Sequence, residues 1–283
     1  MTVATNSCAC PCAASSTKEQ KVNLNKIREE LVGIFEENGK IGPTLVRVAW
    51  HASASFSGRD GSGGSDGGRI RFKPESAWVK NTGLDKAVAV LDQVQKNNPE
   101  ITHADLYIFA GVTMIEIMGG PKVPFRLGRK DAPDGSTSPP DDRLPSADKG
   151  CPVKTAAHVR DVFSRLGFND RETVALIGAH AVGRAHPELS GFSGPWTETE
   201  RKFSNKYFKN LLNVEWKPTE GKSPTQFNNP SKTLMMLPSD MVLIQDKAFH
   251  PFVELYAHNE ELFFKDFAVA FQKVTENGVN FED

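Results

Sequence analysis

The chain has 283 residues, 39% of them hydrophobic and 24% charged, with a formal net charge of −1. That length can bury a full core, and the balanced charge excludes nucleic-acid binding through overall basicity as well as a highly charged, disordered chain. There is no run of 18 apolar residues, so no membrane-spanning helix is expected.

Three of the four cysteines, Cys8, Cys10 and Cys12, share one five-residue stretch, and the fourth is Cys151. A disulfide-stapled secreted fold spreads its cysteines along the chain, so this usage points to a reducing, intracellular compartment. Residues 1–17 read as a disordered, cysteine-containing tail. The first 20 residues lack the apolar centre of a signal peptide and contain no Arg. Mitochondrial and cytosolic locations therefore both stay open.

From residue 18 the helical period dominates. Leu24, Ile27, Leu31, Ile34 and Phe35 form one apolar stripe that ends at Asn38-Gly39. A second helix is expected from Gly42-Pro43 to about Ser53. Residues 56–83, rich in Gly, Ser and Asp, read as a long ordered loop. Helical patterns resume at 84–97 and 102–118. An irregular stretch at 119–153 holds seven of the 18 prolines. Helices follow at 154–166 and after Asn169-Asp-Arg-Glu172, whose Asn-x-x-Glu spacing is close to a capping box. A segment at 203–213 and three more between 239 and 277 complete a mostly α chain with at least nine helices.

Two clusters carry chemistry. Arg47, Trp50 and His51 lie three and four residues apart, on one face of the second helix. A guanidinium, an indole and an imidazole converging there can hold a small oxygen species, move its proton and stabilise its developing charge. His180 sits in Gly178-Ala-His-Ala-Val-Gly183, near the expected end of a capped helix. Asp240, in Met236-Leu-Pro-Ser-Asp240, could accept from its ring, as a carboxylate does behind a metal-ligating histidine.

Together with Gly194-Pro-Trp196, these motifs resemble the class I (intracellular) haem peroxidases over about residues 20–283. The pattern is most similar to the cytochrome c peroxidases, with ascorbate peroxidases and hybrid relatives nearby. The resemblance implies two helical halves, 18–150 distal and 151–283 proximal, enclosing one non-covalent b-type haem as a single functional unit. It implies that His51 is the distal base, Arg47 the distal cation, Trp50 the distal tryptophan and Asn81 the residue orienting His51. It makes His180 the axial ligand of the haem iron and Asp240 its carboxylate partner. Trp196 becomes the proximal, oxidisable tryptophan, and Arg184 and His186 approach the haem propionates. The implied reaction reduces hydrogen peroxide to water with one-electron donors.

The donor is read from departures. Ascorbate peroxidases carry an arginine nine residues after the proximal histidine and a cysteine six before the distal arginine; here those positions are Leu189 and Ile41. Their metal-cation site would need an aspartate where Ser204 stands beside a retained Thr197, so no bound cation is expected. Residues 246–283 hold eight acidic and three basic residues, and Glu36 and Glu37 add acid that would steer a basic partner. Cytochrome c is the expected donor, with ascorbate or a hybrid habit as the alternative. A non-catalytic haem-binding sensor is a remote alternative, since Arg47, Trp50 and His51 are all present. A catalase-peroxidase would need a tyrosine in the loop after Trp50, and that loop has none.

Overall fold

The structure, a computed structural model, describes residues 21–221 and 223–281. The tail expected at 1–17, with Cys8, Cys10 and Cys12, lies outside the described residues. Among these residues eleven α-helices are joined by long loops with very short strands, so the mostly α expectation holds.

Helix α1 (Leu24–Glu37) opens where the Asn23 side chain accepts from the Lys26 amide at 3.1 Å, and it buries Ile27 and Leu31. Helix α2 (Ile41–Ser53) begins slightly before the expected start, without a side-chain cap. Helices α3 (Asp85–Asn97) and α4 (His103–Ile117) follow. Helix α4 is buried over nearly its whole length and is capped by Thr102. It presses on α2 at Gly111, where an added Cβ would lie 2.4 Å from the Ala49 Cβ. That close approach holds the face carrying Arg47 and His51 away from α4. Between α2 and α3 the loop expected at 56–83 contains short 3₁₀ turns at Glu75–Ala77 and Val79–Asn81.

Helix α5 spans Pro152–Arg165. Its Phe163 ring stacks on Trp50 of α2, with centroids 5.5 Å apart. Helix α6 (Asp170–Ile177) has the reciprocal capping box: Asn169 accepts from the Glu172 amide, and Glu172 accepts from the Asn169 amide, both at 2.9 Å. Its end differs from the expectation. The helix stops at Ile177, and His180 lies in a tighter 3₁₀ turn, Gly178–Ala181. The Gly178 position is crowded, because a Cβ there would sit 2.5 Å from Phe263 and 2.7 Å from Phe208. Only glycine lets the chain pass so near these rings.

Four-residue α7 (Pro187–Ser190), which the sequence did not suggest, precedes α8 (Lys206–Asn213), α9 (Pro238–Gln245), α10 (His250–His258) and α11 (Glu260–Glu276). Strand β1 (Arg184–Ala185) pairs antiparallel with β2 (Gly194–Pro195), Arg184 opposite Pro195. Strands β3 (Lys217–Pro218), β4 (Phe227–Asn228) and β5 (Met235–Met236) form an antiparallel sheet in that order. Phe203, Phe208, Phe263 and Phe267 pack ring on ring behind the His180 turn, with centroids 4.8–5.9 Å apart among the contacting pairs. This aromatic wall is the rigid backing of the second cluster. No helix among the described residues is long and apolar enough to cross a membrane.

Candidate active site

On α2, the spacing read from the sequence becomes contact. Arg47 Nε donates to His51 Nε2 at 3.4 Å, a long bond, while Arg47 Nη2 donates to the Lys80 carbonyl at 2.7 Å. The turn at Val79–Asn81 therefore both receives Arg47 and presents Asn81. Buried Asn81 donates its amide to the Glu75 carbonyl at 2.8 Å, which turns its oxygen toward His51 Nδ1 at 2.7 Å. His51 then carries its proton on Nδ1 and keeps a lone pair on Nε2, the atom beside Arg47. Glu75 is itself fixed by a buried ion pair with Arg69 at 3.2 Å. Burial, reinforced by the nearby charges of Arg47 and Lys80 and only partly opposed by the Asn81 bond, lowers the His51 pKa to about 3. His51 is therefore a neutral imidazole at physiological pH. Burial also lowers the pKa of Arg47.

The second cluster is organised by one carboxylate. Asp240, in the first turn of α9, is fully buried. Its oxygens accept from His180 Nδ1 at 2.8 Å, Trp196 Nε1 at 2.7 Å, the Tyr207 hydroxyl at 2.7 Å and the Leu237 amide at 2.7 Å. Burial would push this carboxyl up, but the charge and hydrogen bond of His180, with the Leu237 and Tyr207 bonds, hold it below the usual aspartate range. Trp196 is buried and stacked on His180, ring centroids 4.3 Å apart and planes 16° apart. Tyr207 meets the same imidazole edge-on at 5.8 Å. Its phenol stays protonated, since burial and the adjacent carboxylate push its pKa well up.

The loops bring the two clusters against one another's supports. Gly183, three residues after His180, backs onto Pro43 of α2, and an added Cβ there would be 3.0 Å from the proline. Leu189 packs on Gly83, beside the Asn81 turn, at 2.7 Å from such a Cβ. Arg184 and His186, by contrast, point to the surface and face Glu200 and Glu188 at 3.7 Å. They do not join either cluster. Thr197 donates its hydroxyl to the Ala181 carbonyl at 2.9 Å.

Tyr207 and Glu75 were not singled out in the sequence. Tyr207 could have been noticed as an aromatic on the apolar face of a strongly amphipathic α8, but its bond to Asp240 depends on tertiary placement. The expected acidic surface is also thinner than composition suggested. Asp246, Asp266 and Glu276 are held by Arg160, Arg171 and Arg126. Glu36, Glu37 and Glu261 remain exposed.

The donor set fits haem. Among the described residues no hydrogen bond is made by His180 Nε2, and no cluster of three or more His, Cys, Asp or Glu could hold a bare metal ion. One imidazole, backed by a buried carboxylate, suits an iron that arrives with its other ligands in a macrocycle.

A family model described as Peroxidase matches residues 27–259, and the chain belongs to that family. It is a haem-dependent peroxidase enzyme, an oxidoreductase. Its relatives include the mitochondrial cytochrome c peroxidase of Emericella nidulans, 46% identical over 94% of this chain and 73% of that protein. The mitochondrial cytochrome c peroxidase of Pyricularia oryzae is 44% identical, over 96% and 75%. That of Cryptococcus neoformans var. grubii is 46% identical, over 92% and 67%.

Proposed function

We propose that this peroxidase reduces hydrogen peroxide with electrons from cytochrome c, that it works in mitochondria, and that the two clusters are the distal and proximal sides of one b-type haem bound non-covalently. The observation that carries the reading is Asp240, which holds a basic imidazole and an oxidisable indole on a single buried carboxylate. The likeness to the named cytochrome c peroxidases supports the donor and the compartment.

His180 Nε2 would hold the iron, with Arg184 and His186 near the propionates. Bound haem supplies the centre at which the peroxide O–O bond is broken and the oxidising power is stored. Each further part belongs to the chain. His51 Nε2 takes a proton from one peroxide oxygen and returns it to the other, so that this oxygen departs as water. Asn81, fixed by the Glu75 carbonyl, keeps Nδ1 protonated and Nε2 free for that transfer. Arg47 places positive charge beside the leaving oxygen. Trp50, braced by Phe163, closes the distal wall. Asp240 pulls on the His180 Nδ1 proton and makes Nε2 a stronger donor. Trp196 passes on single electrons from a protein donor that cannot reach the buried centre. Leu189, filling the space over Gly83, offers no hydrogen bond to a small anionic reductant.

Two outcomes test this reading. His180→Ala should lose haem affinity or shift the Soret band, measured by titrating purified protein with haem; an unaltered spectrum contradicts the ligand assignment. The second is the pH profile. Because the folded pKa of His51 lies at about 3, below the ordinary 6.5, the imidazole stays neutral as pH falls through the usual histidine range. The rate constant with peroxide should be flat from about pH 8 to about pH 5 and drop only below that. The same shift has a stability consequence. Below pH 6.5 the unfolded chain binds a proton that the folded one refuses, at a cost of up to about 1.4 kcal/mol per pH unit. A stopped-flow titration centred at 6.5 would contradict the environment described for His51.

A further inference from the structure

We propose that Arg160 is a positioning residue for the proximal pair: it clamps the start of α6 to the end of α9, and thereby sets the His180–Asp240 hydrogen bond at the opposite ends of those helices. The inference rests on the roles proposed for His180 and Asp240.

Arg160 lies on α5, between the two helices. One edge of its guanidinium addresses Asp170, with Nε at 3.1 and 3.2 Å and Nη2 at 3.0 Å from the carboxylate. The other edge addresses Asp246, with Nη1 at 2.8 Å and Nη2 at 2.6 Å. Asp170 is the first residue of α6, and Asp246 is the residue just past the last turn of α9. The Phe249 ring lies against the guanidinium at 4.1 Å, and the Ala248 and Phe249 amides donate to Asp246 at 2.9 and 3.3 Å. The Arg160 hydrogen bonds, ahead of an opposing effect of burial, hold the Asp246 carboxyl at about 2, so the clamp stays charged at working pH.

The geometry makes this a lever. Helix α6 runs from Asp170 toward the turn bearing His180. Helix α9 runs from Asp240 toward Asp246. The pair is therefore joined twice, by Arg160 at one end and by the 2.8 Å His180–Asp240 bond at the other. Asp240 stands six residues before Asp246, about 9 Å along the helix, so a small tilt at the clamp displaces the carboxylate. A hydrogen bond weakens steeply once its distance or angle departs from the optimum. Only a planar fork with donors on two edges can serve both carboxylates; a lysine ammonium is a point charge and cannot.

The test uses haem-loaded enzyme and two readouts other than turnover. These are the iron–imidazole stretching frequency of the ferrous form, by resonance Raman, and the ferric/ferrous midpoint potential. Arg160→Lys and Arg160→Gln should each lower the stretching frequency and raise the potential, because a less well-aligned Asp240 leaves His180 a weaker donor. The control is Arg171→Gln, which removes the 2.8 Å ion pair of α6 with Asp266 on α11 and leaves α9 untouched; it should keep wild-type values in both. Wild-type values in the Arg160 variants, or an equal shift in Arg171→Gln, overturn the proposal. If Arg160→Gln fails to fold or to load haem, Arg160→Lys and Asp246→Asn decide by the same measurements. Failure of the underlying reading shows separately, as a normal haem spectrum in His180→Ala.

Discussion

Replacing His51 with leucine is expected to slow the reaction with hydrogen peroxide by at least about 10²–10⁴-fold, the usual cost of removing a positioned acid–base group. The upper end is expected because one atom, Nε2, performs both transfers: the other ring nitrogen is committed to Asn81 at 2.7 Å. Arg47, the near neighbour at 3.4 Å, is a cation and does not stand in for it as a base. Leucine matches the volume of the imidazole roughly, so packing on α2 is preserved and the loss reports chemistry. Arg47→Leu should cost less than His51→Leu, because it removes charge stabilisation without removing the proton carrier. Stopped-flow rate constants for the two variants at one pH check the ranking. A larger loss in Arg47→Leu would overturn the roles given to the pair.

Trp196→Phe should leave the reaction with peroxide nearly intact and remove most oxidation of cytochrome c. Phenylalanine keeps the stacked position on His180 but is far harder to oxidise, and it cannot donate to Asp240 as Trp196 Nε1 does at 2.7 Å. The buried carboxylate matters to the relay. An indole that has lost an electron carries positive charge, and an anion about 4 Å away stabilises it by about 4 kcal/mol at an effective dielectric of about 20. Phenylalanine forfeits this together with the low oxidation cost of the indole. A small reductant reaching the haem edge needs no relay, so any ascorbate turnover should fall much less. Parallel assays with ferrocytochrome c and ascorbate on wild type and variant separate the two effects. Equal retention of both activities would contradict the relay.

The helices that carry the distal cluster and begin the proximal one were legible from periodicity and capping alone. Spacings of three and four put Arg47, Trp50 and His51 on one face of α2, and the Asn169–Glu172 box marked the start of α6. Asn81 was harder, because a 3₁₀ turn carries no period; only the family pattern singled it out. Arg184 and His186 were named on the same basis; they lie at the surface, facing Glu200 and Glu188, outside both clusters. The full coordination of Asp240 was not legible, since Tyr207 reaches it through tertiary packing that brings α8 behind the His180 turn, whereas the Leu237 amide, three residues back, reaches it locally at the start of α9. Composition misjudged the C-terminal acidity for a related reason. Counting charges does not show that Asp246, Asp266 and Glu276 are engaged by arginines from elsewhere in the chain. What is left to steer a basic partner is a smaller set that includes Glu36, Glu37 and Glu261.

Steady-state peroxide reduction with ferrocytochrome c and with ascorbate, side by side at low and at about 0.15 M ionic strength, tests the proposed function most directly. Screening at the higher salt limits steering to about 8 Å, so cytochrome c oxidation should be fast at low salt and fall as salt rises, while ascorbate turnover stays slow and insensitive to salt. Fast ascorbate oxidation with no turnover of ferrocytochrome c at low salt would contradict the account.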